Sequence, residues 1–517
     1  MKMFKSLVLG SAAGLLAMGG AQAADLPVKA KAVEYVRVCS LYGAGFFYIP
    51  GTDTCIKLSG YLRVDMGVNT NTIYVGNYSG AGGANNRFTN AFTWRSRDDL
   101  DVDTRTATEY GVVRTFMDVV FTWTSDTQAG LGTGATNYGG VGTAPNQGNN
   151  AGQGGTSYGN VGVYYAFLQF AGFTIGKAIS AFDAPWTAYP GNNFDGLVGG
   201  SGTVTGVNQF TYTAEFGQGV SANFSVQDPS AYTQAGNVNV GAIGTDALGA
   251  FGTADTAGTS IPDLIATVQV DQAWGLFKAS FVAHDNHAGY YGPLGTELNG
   301  HPDDKFGWAG QLSLSIKNIP TGPGDVINMQ GVYTDGATRY NIQNLASAAG
   351  GATIFGSTNL PGAYQSVGFG MAPDTIFGTG TTQSLVQTWG GRGAFNHNWD
   401  PYWSSAIYGA FAEVNYGSLG KSLLCGNGVT GGSFEAFYGA GVTSCNPNYS
   451  ITQLGTITRW TPVKNLTFSG EFVYTHLDQN MQGEALLSSS GVGKPDTLYQ
   501  LKDQNTYQVL LRAQRNW

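Results

Sequence analysis

The chain has 517 residues and a formal net charge of −9, and only 11% of its residues are charged, against about 25% in typical soluble domains. Its 78 glycines and 13% aromatic residues accompany a mean hydropathy of −0.09, and after the N-terminal region no apolar run reaches roughly 18 residues, which excludes a bundle of membrane-spanning helices. The acidic balance argues against nucleic acid as a partner.

Residues 1–23 are predicted to form a signal peptide. Lys2 and Lys5 supply the positive start, residues 7–18 supply the apolar stretch, and Ala21-Gln22-Ala23 forms a small-x-small cleavage site. A short buried helix is the alternative interpretation.

The four cysteines lie in two local pairs, Cys39 with Cys55 and Cys425 with Cys445. An exported chain meets an oxidising compartment, so proximity predicts two disulfides. Each would close a loop worth about 3 kcal/mol if the bond acts through chain entropy. Free cysteines are the alternative, and no Cys/His spacing indicates a zinc site.

Apolar and polar residues alternate through sixteen short stretches, as in Leu312, Leu314 and Ile316 around Ser313 and Ser315. Side chains of a strand point to opposite faces with period two, so each stretch predicts a strand with one apolar and one polar face. The alternation is weak in the fourth, twelfth and thirteenth strands. The predicted strands are 55–68, 89–106, 111–124, 161–170, 173–183, 209–216, 220–227, 261–271, 275–284, 305–318, 324–334, 384–398, 402–416, 449–461, 464–476 and 504–517.

Short turns and long Gly/Asn-rich loops separate these strands in alternation, giving seven turns and eight loops. Bacterial outer-membrane barrels have an even strand number, short turns at one end and long loops at the other. The pattern therefore predicts an all-β fold, a sixteen-stranded antiparallel transmembrane barrel with lipid outside and water inside. The longest loop, 335–383, is predicted to lack regular structure of its own. Tryptophans near strand ends fit an aromatic girdle: Trp123, Trp274, Trp399, Trp403, Trp460 and Trp517.

These features divide the chain into three parts. Residues 1–23 are the signal peptide, residues 24–54 an N-terminal segment with a disulfide loop, and residues 55–517 the barrel.

Six arginines occupy polar-face positions on strands that closure would bring together, because strand sixteen then lies beside strand one. We expect a permanently cationic wall, with at least three of these arginines lining a constriction. The alternative is that five aspartates on the same face, Asp65, Asp99, Asp101, Asp103 and Asp118, neutralise them in weak ion pairs. The six are Arg63, Arg95, Arg97, Arg105, Arg114 and Arg512.

The third long loop, 184–207, is rich in proline and aromatic residues and carries one charge, Asp195, with Asp183 at its entrance. This composition favours a loop folded into the barrel. Both acids would then face the arginine wall and set a transverse field across the narrow point. An ordinary surface loop is the alternative.

Other motifs carry little chemistry. The run His284-Asp-Asn-His287 lies where a strand meets a loop, and a solvated loop is favoured there over a metal site. Residues 172–178 partly match a phosphate-binding loop, but the spacing is short and no helix follows. No nucleophile–base set is visible, so we expect neither an enzyme nor a cofactor or metal centre.

The segment from Cys39 to Arg63, CSLYGAGFFYIPGTDTCIKLSGYLR, resembles the start of the alphaproteobacterial general porins of the rhizobial and Brucella type. Weaker matches lie at 96–111, 171–176 and 460–466. The resemblance implies an outer-membrane porin of a Gram-negative bacterium, a homotrimer in contact with lipid and lipopolysaccharide, with a third loop folded inward. Asp98 departs from the pattern because it points outward by parity, either at a subunit interface or because the register slips.

The expected function is passive diffusion of small hydrophilic solutes and ions through a water-filled channel. Such a channel needs a polar lining and a narrow point but no catalyst. A solute-selective barrel channel is one alternative, and an exported β-rich structural or adhesive protein is another.

Overall fold

The computed structural model describes residues 37–70, 92–124, 159–187, 189–230, 235–241, 253–292, 295–342, 352–426, 441–487 and 494–517. The predicted signal peptide and residues 24–36 of the N-terminal segment lie outside these ranges. No helix among the described residues is long and apolar enough to cross a bilayer.

Sixteen strands in the described part of the chain form one closed antiparallel sheet. Each strand pairs with the next, and the last pairs with the first from Tyr61 opposite Asn516 to Asn69 opposite Gln508. The predicted sixteen-stranded barrel is thus confirmed. The strands are β1 Cys55–Asn69, β2 Thr93–Thr108, β3 Gly111–Thr124, β4 Gly159–Phe170, β5 Phe173–Ala178, β6 Val207–Gly217, β7 Val220–Gln227, β8 Asp263–Gln272, β9 Gly275–Asn286, β10 Lys305–Lys317, β11 Val326–Asp335, β12 Ser384–Asn398, β13 Trp403–Tyr416, β14 Tyr449–Val463, β15 Leu466–Gln479 and β16 Gln504–Asn516.

The two faces of the sheet have reversed polarity compared with a soluble protein. Leu58 and Leu62 of β1 point outward and are 47% and 54% exposed, whereas Asp65 of the same strand points inward and is fully buried. A soluble protein buries its large apolar side chains and exposes its carboxylates. The outer face therefore suits lipid, and the inner face carries the polar groups.

The turn between β4 and β5 shows how the short connections close. Ala171 and Gly172 both have positive φ, at 49° and 85°. This is the conformation of a two-residue type I′ turn, whose twist matches that of the strands it joins. The tight turns keep one end of the barrel compact, and the long connections lie at the other end.

Strand β5 ends earlier than the alternation predicts. It stops at Ala178 rather than at residue 183, and the chain then runs into the barrel interior. Ser180 and Phe182 are buried there. The Ser180 hydroxyl donates to Gln227 of β7, and the Phe182 ring packs against the ring of Tyr340. Residues 179–183 therefore alternate in sequence but form no strand, and 180–183 are all buried.

The expectation that loop 335–383 lacks structure is wrong. It contains strands Ala352–Gly356, Gln365–Gly370 and Thr375–Phe377. The first two join segments of two other loops, Thr497–Leu501, Gln482–Leu487 and Val442–Ser444, in a second sheet at the loop end of the barrel. This sheet packs an apolar interior that includes Val367, Tyr499 and Leu487.

Both predicted disulfides are present. Cys39 is bonded to Cys55 at the start of β1, and Cys425 to Cys445 between two loop segments. The second bond ties helix α1, Ser418–Cys425, to the chain that enters β14. No cysteine of the chain is free.

The backbone of β2 and the ring of Trp517 leave no room for a side chain at Gly60. A Cβ there would lie 1.9 Å from the Asp99 carbonyl oxygen and 2.9 Å from the Trp517 ring. Gly60→Ala should therefore destabilise the barrel by about 1–3 kcal/mol, the usual cost of overpacking. The folded fraction, measured by heat-dependent migration on a denaturing gel, should fall.

The matched control is Gly470→Ala on β15. A Cβ at Gly470 meets only Leu511, at an ordinary 3.7 Å, so this variant should fold like the parent chain. Equal folded fractions for the two variants would contradict the role of Gly60.

Candidate functional site

The third loop, between β5 and β6, lies inside the barrel. Phe194, Leu197 and Val198 at its centre are almost fully buried. Wall side chains hold its backbone: Lys278 donates to the Asp183 carbonyl at 2.6 Å and Arg459 to the Gly191 carbonyl at 2.6 Å. The Val198 amide donates to Gln453 at 2.9 Å. The loop is therefore anchored to strands on several sides of the interior.

Gly199 allows a close approach of this loop to the backbone of the wall. Gly199 has φ +85°, a conformation that favours glycine. A Cβ at this position would lie 2.3 Å from the Gly391 carbonyl oxygen. The contact thus requires glycine for both its backbone angle and its lack of a side chain.

Arg392 of β12 also holds the third loop, and the sequence analysis did not identify it as a site residue. Its guanidinium donates to the carbonyls of Thr187, at 2.6 Å, and Leu197, at 3.2 Å. Its inward parity could have drawn attention to it, but the neighbouring Gly391 and Gly393 weaken the alternation of this strand.

The closure of β16 against β1 builds an ionic cluster around Asp65. The strand register places Asp65 directly between Arg95 and Arg512. Arg95 donates to Asp65 from Nε and Nη2 at 2.8 and 2.6 Å, and Arg512 Nε donates to its other oxygen at 2.6 Å. Arg512 Nη2 adds a fourth bond, to Asp65 Oδ2 at 3.3 Å. Charge-assisted hydrogen bonds of this kind fix the two guanidinium groups around Asp65.

Asp195 joins the third loop to this cluster. Its Oδ2 accepts from Arg95 Nη1 at 2.8 Å, and its Oδ1 accepts from the Tyr189 hydroxyl at 2.6 Å. The acid therefore touches the arginine wall directly, without an aqueous gap between them.

The pKa of Asp195 reflects this position. Burial by itself would raise the pKa, but the positive charges of Arg95, Arg512 and Arg63 outweigh it and hold the pKa well below its usual value. The carboxylate is ionised throughout the physiological range.

Asp183 does not share the site of Asp195. It is buried within the third loop, where its Oδ2 accepts from the amide and the hydroxyl of Thr203 at 2.6 and 2.7 Å. The structure therefore separates the two acids that the sequence interpretation placed together opposite the arginines.

Arg63 and Arg97 lie beside the Asp65 cluster and are directly opposite each other on β1 and β2. Arg63 Nη2 donates to the Tyr61 hydroxyl at 3.1 Å, and its Nε is 3.9 Å from Asp65. Arg97 donates to Thr122 at 3.1 Å.

Arg105 and Arg114 form a separate group near the turn end. Both bind Asp103, at 2.9 and 3.1 Å, and Arg105 lies over the ring of Phe46 in the N-terminal segment. Ten residues of strand separate Arg95 from Arg105, about 33 Å at the rise of an extended chain. The six arginines thus share one wall but divide into two groups at different depths.

Two groups of three potential metal ligands occur among the described residues. One is Asp99, Asp101 and Asp118 on the inner wall, and the other is Asp285, His287 and Asp304 at the loop end. His284 is not part of the second group: its Nδ1 lies 2.6 Å from Asp263 in the interior, whereas His287 Nδ1 lies 2.7 Å from Asp304.

A family model described as Porin subfamily matches residues 25–510. The Omp2b porins of Brucella suis biovar 1 and Brucella melitensis biotype 1 are each 34% identical to this chain over 285 residues, which cover 54% of this chain and 66% of theirs. The chain therefore aligns with slightly under two thirds of these relatives.

Among solved structures, the outer membrane channel DcaP of Acinetobacter baumannii is similar, with a TM-score of 0.53 and 14% identity. The match covers 91% of this chain and 99% of that one. At this identity the likeness supports the fold alone.

The depressed pKa of Asp195 predicts how its stabilising contribution depends on pH. The contribution should be complete above the unfolded-state pKa of about 3.9 and should be lost as the pH falls through the lower folded-state pKa. The stability difference between the parent chain and Asp195→Asn should therefore stay constant from pH 7 to roughly pH 5 and shrink at more acidic pH.

Thermal unfolding followed by tryptophan fluorescence measures this difference. Asp271→Asn serves as the control, because it removes only an exposed pair with Lys317 and should change stability little at any pH. A difference for Asp195→Asn that already shrinks between pH 7 and roughly pH 5 would contradict the assignment.

Proposed function

Because the chain belongs to the porin subfamily, we propose that it forms a water-filled channel in the outer membrane of a Gram-negative bacterium for passive diffusion of small hydrophilic solutes and ions. The observation that carries the proposal is a closed barrel with an apolar exterior, a polar interior and one loop folded into that interior. Diffusion through such a barrel needs no chemical step.

The wetter side of the interior lies along β2 to β5. Inward side chains of β9 to β12, including Lys278, Gln311 and Arg392, are buried against the third loop. Arg97, Asp101 and Lys177, on the opposite part of the wall, keep partial exposure. This difference supports a solute path along β2 to β5, with the third loop as its other boundary.

The arginines have distinct roles in this proposal. Arg63 and Arg97 line the narrow part, and Arg95 and Arg512 stand behind them, neutralised in part by Asp65. Arg105 and Arg114 line the mouth at the turn end, about 33 Å away along the strand. Asp195 fixes the loop, and Asp183 stabilises the loop internally.

Asp98 supports a homotrimer. It is exposed on the outer face of β2, directly between Leu62 and Phe121, so the outward orientation does not come from a register slip. A carboxylate among lipid-facing side chains costs free energy. Contact between subunits at β1 to β3 would remove Asp98 from lipid, and the remaining outer face would contact lipid and lipopolysaccharide.

Reconstitution tests the proposed function. The purified protein should produce stepwise conductance in a planar bilayer and should admit small sugars in liposome swelling, with conductance steps in groups of three if it is a trimer. A folded barrel that gives neither conductance nor swelling would falsify the proposal. Saturation of the current by one solute would instead indicate the solute-selective alternative.

Arg97 should contribute most directly to ion selectivity. Among the six arginines, within the described residues, it is the one with no carboxylate within ion-pairing distance, so its charge acts on passing ions. Arg97→Ser should shift the reversal potential in a salt gradient toward cations. Arg515→Ser, which removes an arginine bound to a backbone carbonyl at the turn end, is the control and should leave it unchanged. Equal shifts of the reversal potential in both variants would show that Arg97 does not line the narrow part of the channel.

A further inference from the structure

Three carboxylates meet on the wetter wall of the barrel. Asp99 and Asp101 lie on the inner face of β2, and Asp118 of β3 is the direct cross-strand partner of Asp101. One carboxylate oxygen from each lies within 4.8 Å of the others. We call these residues the aspartate triad.

The triad differs from Asp65 and Asp103 of the same wall because its carboxylates form no ion pair with a lysine or arginine of the described residues. Asp65 binds Arg95 and Arg512, and Asp103 binds Arg105 and Arg114. No lysine or arginine of the described residues comes within 4.0 Å of a triad carboxylate. Like charges directly opposite each other on paired strands are destabilising, so the triad stores repulsion that the neighbouring acids avoid.

Asp118 supplies an independent indication of a ligand. It is 5% exposed, and its Oδ1 is buried with no hydrogen-bond donor. A buried carboxylate oxygen without a partner carries a desolvation cost that a bound cation would offset. The same site therefore combines excess negative charge with an unused ligand atom.

Two basic residues near Asp118 direct their charged groups elsewhere, and Lys57 near Asp101 and Arg63 near Asp99 stay beyond ion-pairing distance. Arg97 donates to Thr122 and lies over the ring of Tyr164, and Lys177 donates to the Val163 carbonyl at 2.6 Å. Ser59, by contrast, turns its hydroxyl toward Asp101 at 3.3 Å and adds another oxygen beside the triad.

We propose that the aspartate triad binds one hard divalent cation, with Ca²⁺ the best fit, on the wall of the solute path. Carboxylate oxygens are the ligands that Ca²⁺ takes in proteins, and water completes its flexible coordination of six to eight oxygens. The partial exposure of Asp101 gives the ion access from the lumen. The bound ion cancels most of the local negative charge, so occupancy makes the channel less favourable to cations. This effect on selectivity rests on the proposed function, whereas binding itself does not.

Calcium binding is measured by isothermal titration of the full-length, detergent-solubilised protein with CaCl₂. The parent chain should bind one Ca²⁺ per chain, and Asp101→Asn/Asp118→Asn should bind it about tenfold or more weakly, because two of three charged ligands are gone. Asp118→Asn alone should show a smaller loss. These isosteric changes relieve repulsion, so the variants should still show the heat-dependent gel migration of a folded barrel.

Asp271→Asn is the matched control, since it removes a carboxylate that is exposed near the end of β8 and paired with Lys317. It should bind Ca²⁺ like the parent chain. No binding by the parent chain, or equal binding by all variants, would overturn the proposed site; the second result would assign the calcium to bound lipid or surface carboxylates.

Bilayer recordings distinguish the proposed calcium site from the proposed porin function. Added CaCl₂ should shift the reversal potential of the parent channel toward anions with saturation, and the double variant should lack this shift. A channel that conducts normally with the same calcium response in both forms would refute the site and leave the porin function standing. A protein that binds calcium at the triad but does not conduct would refute the porin function alone.

Discussion

Closure of the sheet by β16 against β1 is the constraint on which the other features depend. In lipid every backbone donor and acceptor must be paired within the protein, and a closed sheet satisfies this without an exposed edge. Once the sheet is closed, the period of two sends alternate side chains to lipid and to the lumen. The interior therefore receives most of the charged side chains of the wall, and their charges must be balanced in a confined space.

The strand register decides how this balance is achieved. Asp65 stands between Arg95 and Arg512, and Asp103 beside Arg105 and Arg114, so each acid is matched by two cations. The same register sets Asp101 opposite Asp118, and no lysine or arginine of the described residues forms an ion pair with either. One sheet thus carries arginine-rich ion-paired clusters and a concentrated negative patch a few residues apart.

Local patterns in the sequence were sufficient to predict the strands of the barrel wall, but they were insufficient to predict the contacts inside the barrel. Strand bounds such as 111–124 and 384–398 agree with the prediction because alternation is a property of neighbouring residues. Parity also placed the six arginines inward. The composition of the third loop predicted that it folds inward with Asp195 toward the arginines, but its individual contacts depend on residues far apart in sequence, as in Arg392 with Leu197, and no local pattern encodes them. Asp183 and Asp195 look equivalent in sequence, yet a threonine in the same loop binds one and the arginine wall the other.

The second sheet at the loop end has a consequence for how the exterior of the barrel can vary. Its strands come from three different loops, and they share backbone hydrogen bonds and one apolar interior. A change of length or sequence in one loop must be accommodated by the other two. The surface at the loop end of the barrel is accordingly a composite of distant chain segments, and its shape depends on all three loops together.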